Sequence, residues 1–136
     1  MTVQPSVRRV AAAVLRRSDG RVLLLKRADS HSTNPGQWCF VTGYVEEGEF
    51  PRSAAIRELA EELGIDASPV REGAVVNVAL SPERNLDVYP FLFDTPNIEI
   101  ALDREHSAFE WIMPGELLQY DTVPQLDDDL KSLGLL

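Results

Sequence analysis

The chain has one cysteine, Cys39, so it can form no internal disulfide and reads as a protein of a reducing, cytoplasmic compartment. Long apolar runs are missing. Val10 to Leu15 and Val22 to Leu25 fall far short of the roughly 20 residues that a membrane-spanning helix needs, which excludes a membrane partner. The N-terminal apolar stretch runs straight into Arg16 and Arg17 with no small-residue cleavage site, so it does not read as a secretory signal. Cations are scarce: 13 Lys and Arg stand against 22 Asp and Glu, for a net charge of -9 and a pI near 4.6. Polymeric nucleic acid, whose binding rests on cationic side chains set against phosphates, is excluded as a partner. A short phosphorylated ligand is not, provided a metal screens its charge. With 136 residues, 44% of them hydrophobic, the chain suits one domain over 1–136 with enough apolar material for a core.

Val10 to Leu15 and Arg21 to Leu25 predict two strands joined at Ser18-Asp19-Gly20, the first buried on both faces. Ala28 to Gln37 is rich in turn formers and predicts a loop, followed by a short strand over Trp38 to Thr42. Pro51 to Leu63 predicts a helix, opened by its proline and stopped by Gly64. Further strands are expected at Ala74 to Leu80, Leu86 to Phe93, Ile98 to Leu102 and Phe109 to Met113, and closing helices at Pro114 to Tyr120 and Gln125 to Leu133. That order predicts an α+β domain with a mixed sheet packed against helices.

The helix over Pro51 to Leu63 carries the densest chemistry. At about 100° per residue, Glu58, Glu61 and Glu62 share an arc of roughly 100°, while Ile56, Leu59, Ala60 and Leu63 cover the other side and are expected to face the core. Like charges at these spacings repel, unless a divalent cation such as Mg²⁺ or Mn²⁺ neutralises them. Ala54 and Ala55 flank the acidic arc and read as room for a ligand, and Arg57 can hold Glu61 one turn away. A plain solvated helix face is the alternative.

From Gly43 to Ile65 the chain reads GYVEEGEFPRSAAIRELAEELGI. Its fixed letters are Gly43, then Glu49, then Arg57 and Glu58, then Glu61 and Glu62, then Gly64, with aliphatic Leu59 and Ile65 between and after them. If each of these invariant letters arises at about 7%, chance supplies the spacing on the order of once in 10⁸ start positions. The segment resembles the signature of the Nudix hydrolases. The lead-in LLLKRADSHSTNPGQWCFVTG and the later EHSAFEWI, from Glu105 to Ile112, are also similar to that family.

The resemblance implies an α/β/α sandwich around a mixed sheet, and Mg²⁺- or Mn²⁺-dependent hydrolysis of a nucleoside diphosphate linked to another moiety. Carried over position by position, it makes Glu61 and Glu62 the principal metal ligands and Glu58 a further ligand or the base. Glu49 and the Gly43 carbonyl become supporting positions in the metal site, and Arg57 the residue that orients the glutamates. Glu105 is the second candidate for the base, and Arg27, at the end of the second strand, reads either as a contact to substrate phosphates or as a surface ion pair. The small nucleotide pyrophosphohydrolases are the most similar members. They imply a nucleoside triphosphate or dinucleoside polyphosphate as substrate, and a homodimer as an assembly that relatives adopt. Pro82 points to an ADP-ribose or nucleotide-sugar pyrophosphatase as the alternative. A non-catalytic nucleotide-binding module of the same fold is the alternative from another class, and the complete set of glutamates speaks against it.

The remaining candidates read as structural. Trp38, Phe40, Tyr89 and Trp111 are expected in the core rather than against a base. His31 and His106 are expected to be ordinary surface histidines, Cys39 a small buried hydrophobe, and Asp127, Asp128 and Asp129 to cap and solvate the last helix.

Overall fold

The structure, a computed structural model, describes residues 6–136. Its backbone is a pair of long parallel strands, β1 (Ser6–Arg17) and β7 (Arg84–Thr95), paired residue by residue from Ser6 with Arg84 to Arg17 with Thr95. A parallel pair is buried on both faces and needs near-continuous apolar sequence. Ala11 to Leu15 supply it, each at 2% exposure or less, so the expectation of a strand buried on both sides holds.

Around this pair the other strands add antiparallel. The Asp19-Gly20 turn leads into β2 (Val22–Arg27), which meets β1 only at Arg16 and Val22. Beyond that point the two strands part. The chain over 38–42 was expected as one strand but breaks at Phe40 into β3 (Trp38–Cys39), paired with β2, and β4 (Val41–Tyr44), paired with β1. β3 and β4 therefore wedge the fork between β1 and β2. On the outer edges, β8 (His106–Ile112) pairs with β2, and β5 (Arg71–Glu72) and β6 (Val76–Ser81) pair with β7. Pro82 occupies the tight turn between β6 and β7, where Ser81 faces Arg84.

Helices cover both faces, so the sandwich holds. Side chains alternate along β1. Ala11, Ala13 and Leu15 pack under α1 (Pro51–Leu63), and Val14 packs with α2 (Leu126–Ser132) and a 3-10 helix (Pro114–Gln119) through Leu117, Leu126, Leu130 and Leu133. α1 has the predicted bounds, and Gly64 closes it at φ 68°, a left-handed conformation that suits glycine. No helix of the described residues is long and apolar enough to cross a membrane.

Two expectations fail, and one strand was not foreseen. Ile98 to Leu102 forms no strand, because the edges of β2 and β7 are already taken; Ile100 and Leu102 instead tuck singly against the core under α1. The short, polar and exposed β5 had no hydrophobic pattern to announce it. Ala54 and Ala55 leave no room for a ligand: both are fully buried, packed on the small residues of β1. Alanine facing alanine lets α1 lie close to the sheet.

That contact makes a testable statement. Ala55→Leu should cost roughly 1–3 kcal/mol through overpacking, read as a lower urea midpoint at unchanged slope. Unaltered stability would mean that Ala55 faces open space after all.

Candidate active site

Because Ala54, Ala55 and Leu59 face the sheet, two of the three glutamates are carried toward it. Glu62 is 8% exposed, whereas Glu61 points to solvent with a side chain 58% exposed. Around the helix, Glu58, Glu62, Ala55 and Leu59 share about 100° of arc. The acidic arc and the core face therefore overlap, where they had been expected on opposite sides.

Glu58 lies directly over Gly43 of β4. A Cβ built on Gly43 would fall 2.0 Å from Glu58 Cδ and 2.1 Å from its Oε1, so only glycine leaves space for this carboxyl. Arg57 fixes it from the other side. Its Nη1 donates to Glu58 Oε1 at 2.8 Å and, more loosely, to Glu61 at 3.3 Å. Its Nε and Nη2 donate to the two oxygens of Glu49 at 2.9 and 3.0 Å, and Nη2 also reaches the Tyr44 carbonyl at 3.1 Å. Glu49 accepts a further bond from the Glu46 amide, and with Arg57 beside it its carboxyl is held down to about 2. Glu49 thus braces Arg57, and Arg57 orients Glu58.

Burial raises the carboxyls of both Glu58 and Glu62 above the ordinary range, and for Glu62 the neighbouring Glu58 adds to the rise. Glu62 Oε2 has no hydrogen-bond partner although it is buried. Two poorly hydrated carboxyls with an unpartnered oxygen form a hard, all-oxygen donor set, which fits a divalent cation such as Mg²⁺ or Mn²⁺.

Behind Glu62 stands a residue misread in the sequence. His106 is 7% exposed, not a surface histidine; its Nδ1 lies 2.8 Å from Asp103 Oδ1, and its Nε2 lies 3.8 Å from Glu62 Oε1 and 4.0 Å from Cys39 Sγ. Asp103, three residues upstream in a turn, was the available signal. One ligand atom each from Glu62, Asp103 and His106 lie within 4.8 Å of one another, so this cluster backs the carboxyl pair with a fixed imidazole. Cys39 is buried, and burial pushes its thiol up to about 11, which leaves it unreactive as expected.

Arg27 is tied into the 28–37 loop rather than paired with an acid. Nε donates to the Thr33 carbonyl at 2.8 Å and Nη2 to Thr33 Oγ1 at 2.7 Å, with His31 within 3.0 Å of the same nitrogen. His31 is accordingly half-buried, 4.0 Å from Glu105 Oε2. Glu105 itself is 63% exposed at its side chain.

These groups line one cavity of about 690 Å³. It is bounded by Glu58, Glu62, Gly43, Arg27, Glu105 and His106, and it continues along the opposite side of the sheet over Val10, Val78, Leu86 and Val88 to Leu126 and Asp129 of α2. Glu49 and Glu61 do not line it. Of the expected core aromatics, Phe40 is fully buried, Tyr89 and Trp111 are partly buried in the core, and Trp38 stacks edge-on against Tyr120 at 5.3 Å. Asp129 was expected in solvent. It is 4% exposed, and burial, with Asp128 and Asp127 nearby, raises its carboxyl to about 7. The spacing of Leu126, Leu130 and Leu133 was the missed signal, since position 129 lies on that same buried stripe.

The family model described as the NUDIX domain matches residues 6–132. Among curated proteins, the chain is 36% identical to the CTP pyrophosphohydrolase of Escherichia coli strain K12 over 85% of this chain and 82% of that one. It is 30% identical to the nucleoside triphosphatase NudI of Escherichia coli O139:H28, covering 94% of this chain and 98% of that one. Among solved structures, the MutT protein from Methanosarcina mazei Go1 superposes with a TM-score of 0.81 at 26% identity, over 98% of this chain and 96% of that one. The E. coli ORF135 protein gives 0.73 at 33% identity, over 94% of this chain and 89% of that one.

Burial of Asp129 has a pH signature. Its folded-state value lies above the ordinary 3.8, so the stability it allows is fully present below about 4 and is lost as the pH rises through about 7. Asp129→Asn should therefore match the wild type near pH 4 and exceed it at pH 8, on the order of 1–4 kcal/mol, by urea denaturation at the two pH values. An equal difference at both would contradict the burial of an ionisable acid.

Proposed function

Since the chain belongs to the Nudix family and is a Nudix hydrolase, we propose that it hydrolyses a pyrophosphate bond in the phosphate chain of nucleoside triphosphates with Mg²⁺ or Mn²⁺. The observation that carries this reading is the buried Glu58 and Glu62 pair over Gly43, with one Glu62 oxygen unpartnered, at the floor of a cavity large enough for a nucleotide. The names of the relatives, a CTP pyrophosphohydrolase and a nucleoside triphosphatase, support the substrate class.

Glu58 and Glu62 would hold the cation, with the Gly43 carbonyl beside them, Glu61 as an outer, solvent-facing ligand, and Glu49 as the brace of Arg57. A divalent cation bound there supplies charge neutralisation for the phosphates and makes a bound water more acidic. Arg57 keeps Glu58 in place so that it need not reorganise during the reaction. Arg27, immobilised by Thr33, faces the cavity as a cation for the substrate's phosphates. Glu105, exposed to the same cavity, would accept the proton of the attacking water. Dinucleoside polyphosphates present the same phosphate chain and belong to the same class, with ADP-ribose as the competing substrate. A small, phosphate-bearing ligand agrees with a net charge of -9, which disfavours a trailing nucleic acid backbone.

A nucleotide panel tests this reading. Release of pyrophosphate or phosphate from a triphosphate should require Mg²⁺ or Mn²⁺ and vanish in excess EDTA. Glu62→Gln should lower kcat by orders of magnitude while the metal-free protein keeps or gains stability, because the crowding of two like carboxyls is relieved. Glu105→Gln should lower kcat with little change in KM. Undiminished turnover in EDTA would refute metal dependence, and unfolding of Glu62→Gln would make the pair structural. An ADP-ribose kcat/KM at least tenfold above every triphosphate and dinucleoside polyphosphate would replace the substrate.

A further inference from the structure

Cys39, Asp103 and His106 take no part in holding a cation between Glu58 and Glu62, yet the fold collects them directly behind it. β3 ends at Cys39, which pairs with Leu25 of β2, β8 begins at His106, opposite Arg27 at a bulge in the same strand, and α1 brings Glu62 down in its last turn. Their side chains meet at one atom. His106 Nε2 lies 3.8 Å from Glu62 Oε1 and 4.0 Å from Cys39 Sγ, and the His106 and Glu62 side chains are 3% and 7% exposed. On the far edge of the ring, Nδ1 lies 2.8 Å from Asp103 Oδ1. A carboxylate only accepts, so in the neutral imidazole the hydrogen sits on Nδ1 and Nε2 keeps its lone pair. That lone pair has no good donor: Glu62 is too far for a hydrogen bond, and a thiol at 4.0 Å is at the limit of a weak one. The spacing suits a metal instead. Bonds to zinc run at about 2.0–2.1 Å from imidazole nitrogen, about 2.0–2.2 Å from carboxylate oxygen and about 2.3 Å from thiolate sulfur. Two donors on one ion can thus stand up to about 4.2 Å apart for nitrogen with oxygen and about 4.4 Å for nitrogen with sulfur, and both separations at Nε2 fall inside these limits.

We infer that His106 Nε2, Glu62 Oε1 and Cys39 Sγ form a second cation position, for a borderline ion such as Zn²⁺, with Asp103 orienting the imidazole from behind. Nitrogen and sulfur donors select against Mg²⁺, which takes oxygen, so this position and the all-oxygen one at Glu58 and Glu62 are filled by different ions. Glu62 joins the two. Its Oε1 faces His106, while Oε2, buried without a partner, is left for the other ion. The charges balance: Glu62, Asp103 and a Cys39 thiolate bring three negative charges, against two on the ion and one on Arg27, whose Nη1 is 3.9 Å from the same sulfur. The thiol hydrogen leaves to solvent as a proton, since a metal bound to sulfur ionises even a thiol that is inert when free. Cys39, Glu62 and His106 all line the cavity, which gives the ion its way in and leaves a fourth coordination position to water. Binding there needs no substrate, so it is read without turnover.

Co²⁺ is the probe, because it takes the place of Zn²⁺ and absorbs light. The wild type, in excess Mg²⁺ that occupies the oxygen position, is titrated with Co²⁺ under exclusion of oxygen. A thiolate-to-cobalt absorption band in the near ultraviolet should rise to saturation at one ion per chain and vanish when Zn²⁺ is added. Cys39 is the one cysteine of the chain, so no other residue can produce that band. Cys39→Ser should remove it, and Asp103→Asn and His106→Gln should each weaken Co²⁺ binding at least tenfold. Thermal melts establish that each variant is folded, and Asp103→Asn, in a turn with a side chain 26% exposed, carries the comparison by itself if His106→Gln is not. Absence of the band in excess Co²⁺ overturns the site. A band of unchanged affinity in either folded variant overturns it as well, because the sulfur-bound ion then lies away from the imidazole.

Discussion

The carboxyls of Glu58 and Glu62 meet where water barely reaches, and each would be relieved by moving apart. They are held there by packing. Ala54 and Ala55 seat α1 on the small residues of β1, which brings Glu58 down onto Gly43, where nothing larger than hydrogen fits. Arg57 then closes the arrangement by spending its five donors on Glu49, Glu58, Glu61 and the Tyr44 carbonyl. The order of dependence runs from apolar contact to glycine to guanidinium to carboxylate, so the acidic site is a product of the fold rather than an ornament on it.

The parting of β1 and β2 gives this site its reach. β3 and β4 fill the fork, and the cavity passes from the α1 side, with its glutamates, to the α2 side, with its valines and Asp129. A ligand with a charged end and a flat apolar end is matched on both sides of one sheet. The scarcity of basic residues has the same sense: Arg27 and Arg84 are outnumbered in the cavity by Glu58, Glu62, Glu105 and Asp129, so a metal ion favours the entry of anionic groups.

Much of this was legible in the sequence. Gly43, Arg57, Glu58 and Glu62 hold positions that the resemblance to the Nudix signature assigns to one site, and Pro51 and Gly64 mark the helix that carries Arg57 and the two glutamates. The parts that were not legible depend on contacts distant in sequence. Ala54 and Ala55 looked like free space because their partners, Ala11 and Ala13, lie some forty residues away. Ile98 to Leu102 was expected as a strand, yet a strand also needs a free edge, and β8 had taken it. His106 and Asp129 were assigned to solvent by residue type, although Asp103 three residues upstream and the stripe of Leu126, Leu130 and Leu133 were local signals of their burial.

If close approach of α1 to β4 creates the metal site, geometry and not negative charge should control cation binding. Mn²⁺ titration calorimetry on the wild type and Gly43→Ala decides this, because the substitution keeps every carboxylate, the backbone carbonyl and the net charge while its Cβ displaces Glu58. The account predicts at least a tenfold weaker Mn²⁺ affinity for Gly43→Ala in a protein that remains folded. Equal affinity in the two proteins would show that the cation is held by diffuse acidity elsewhere, and would contradict the site described at Glu58 and Glu62.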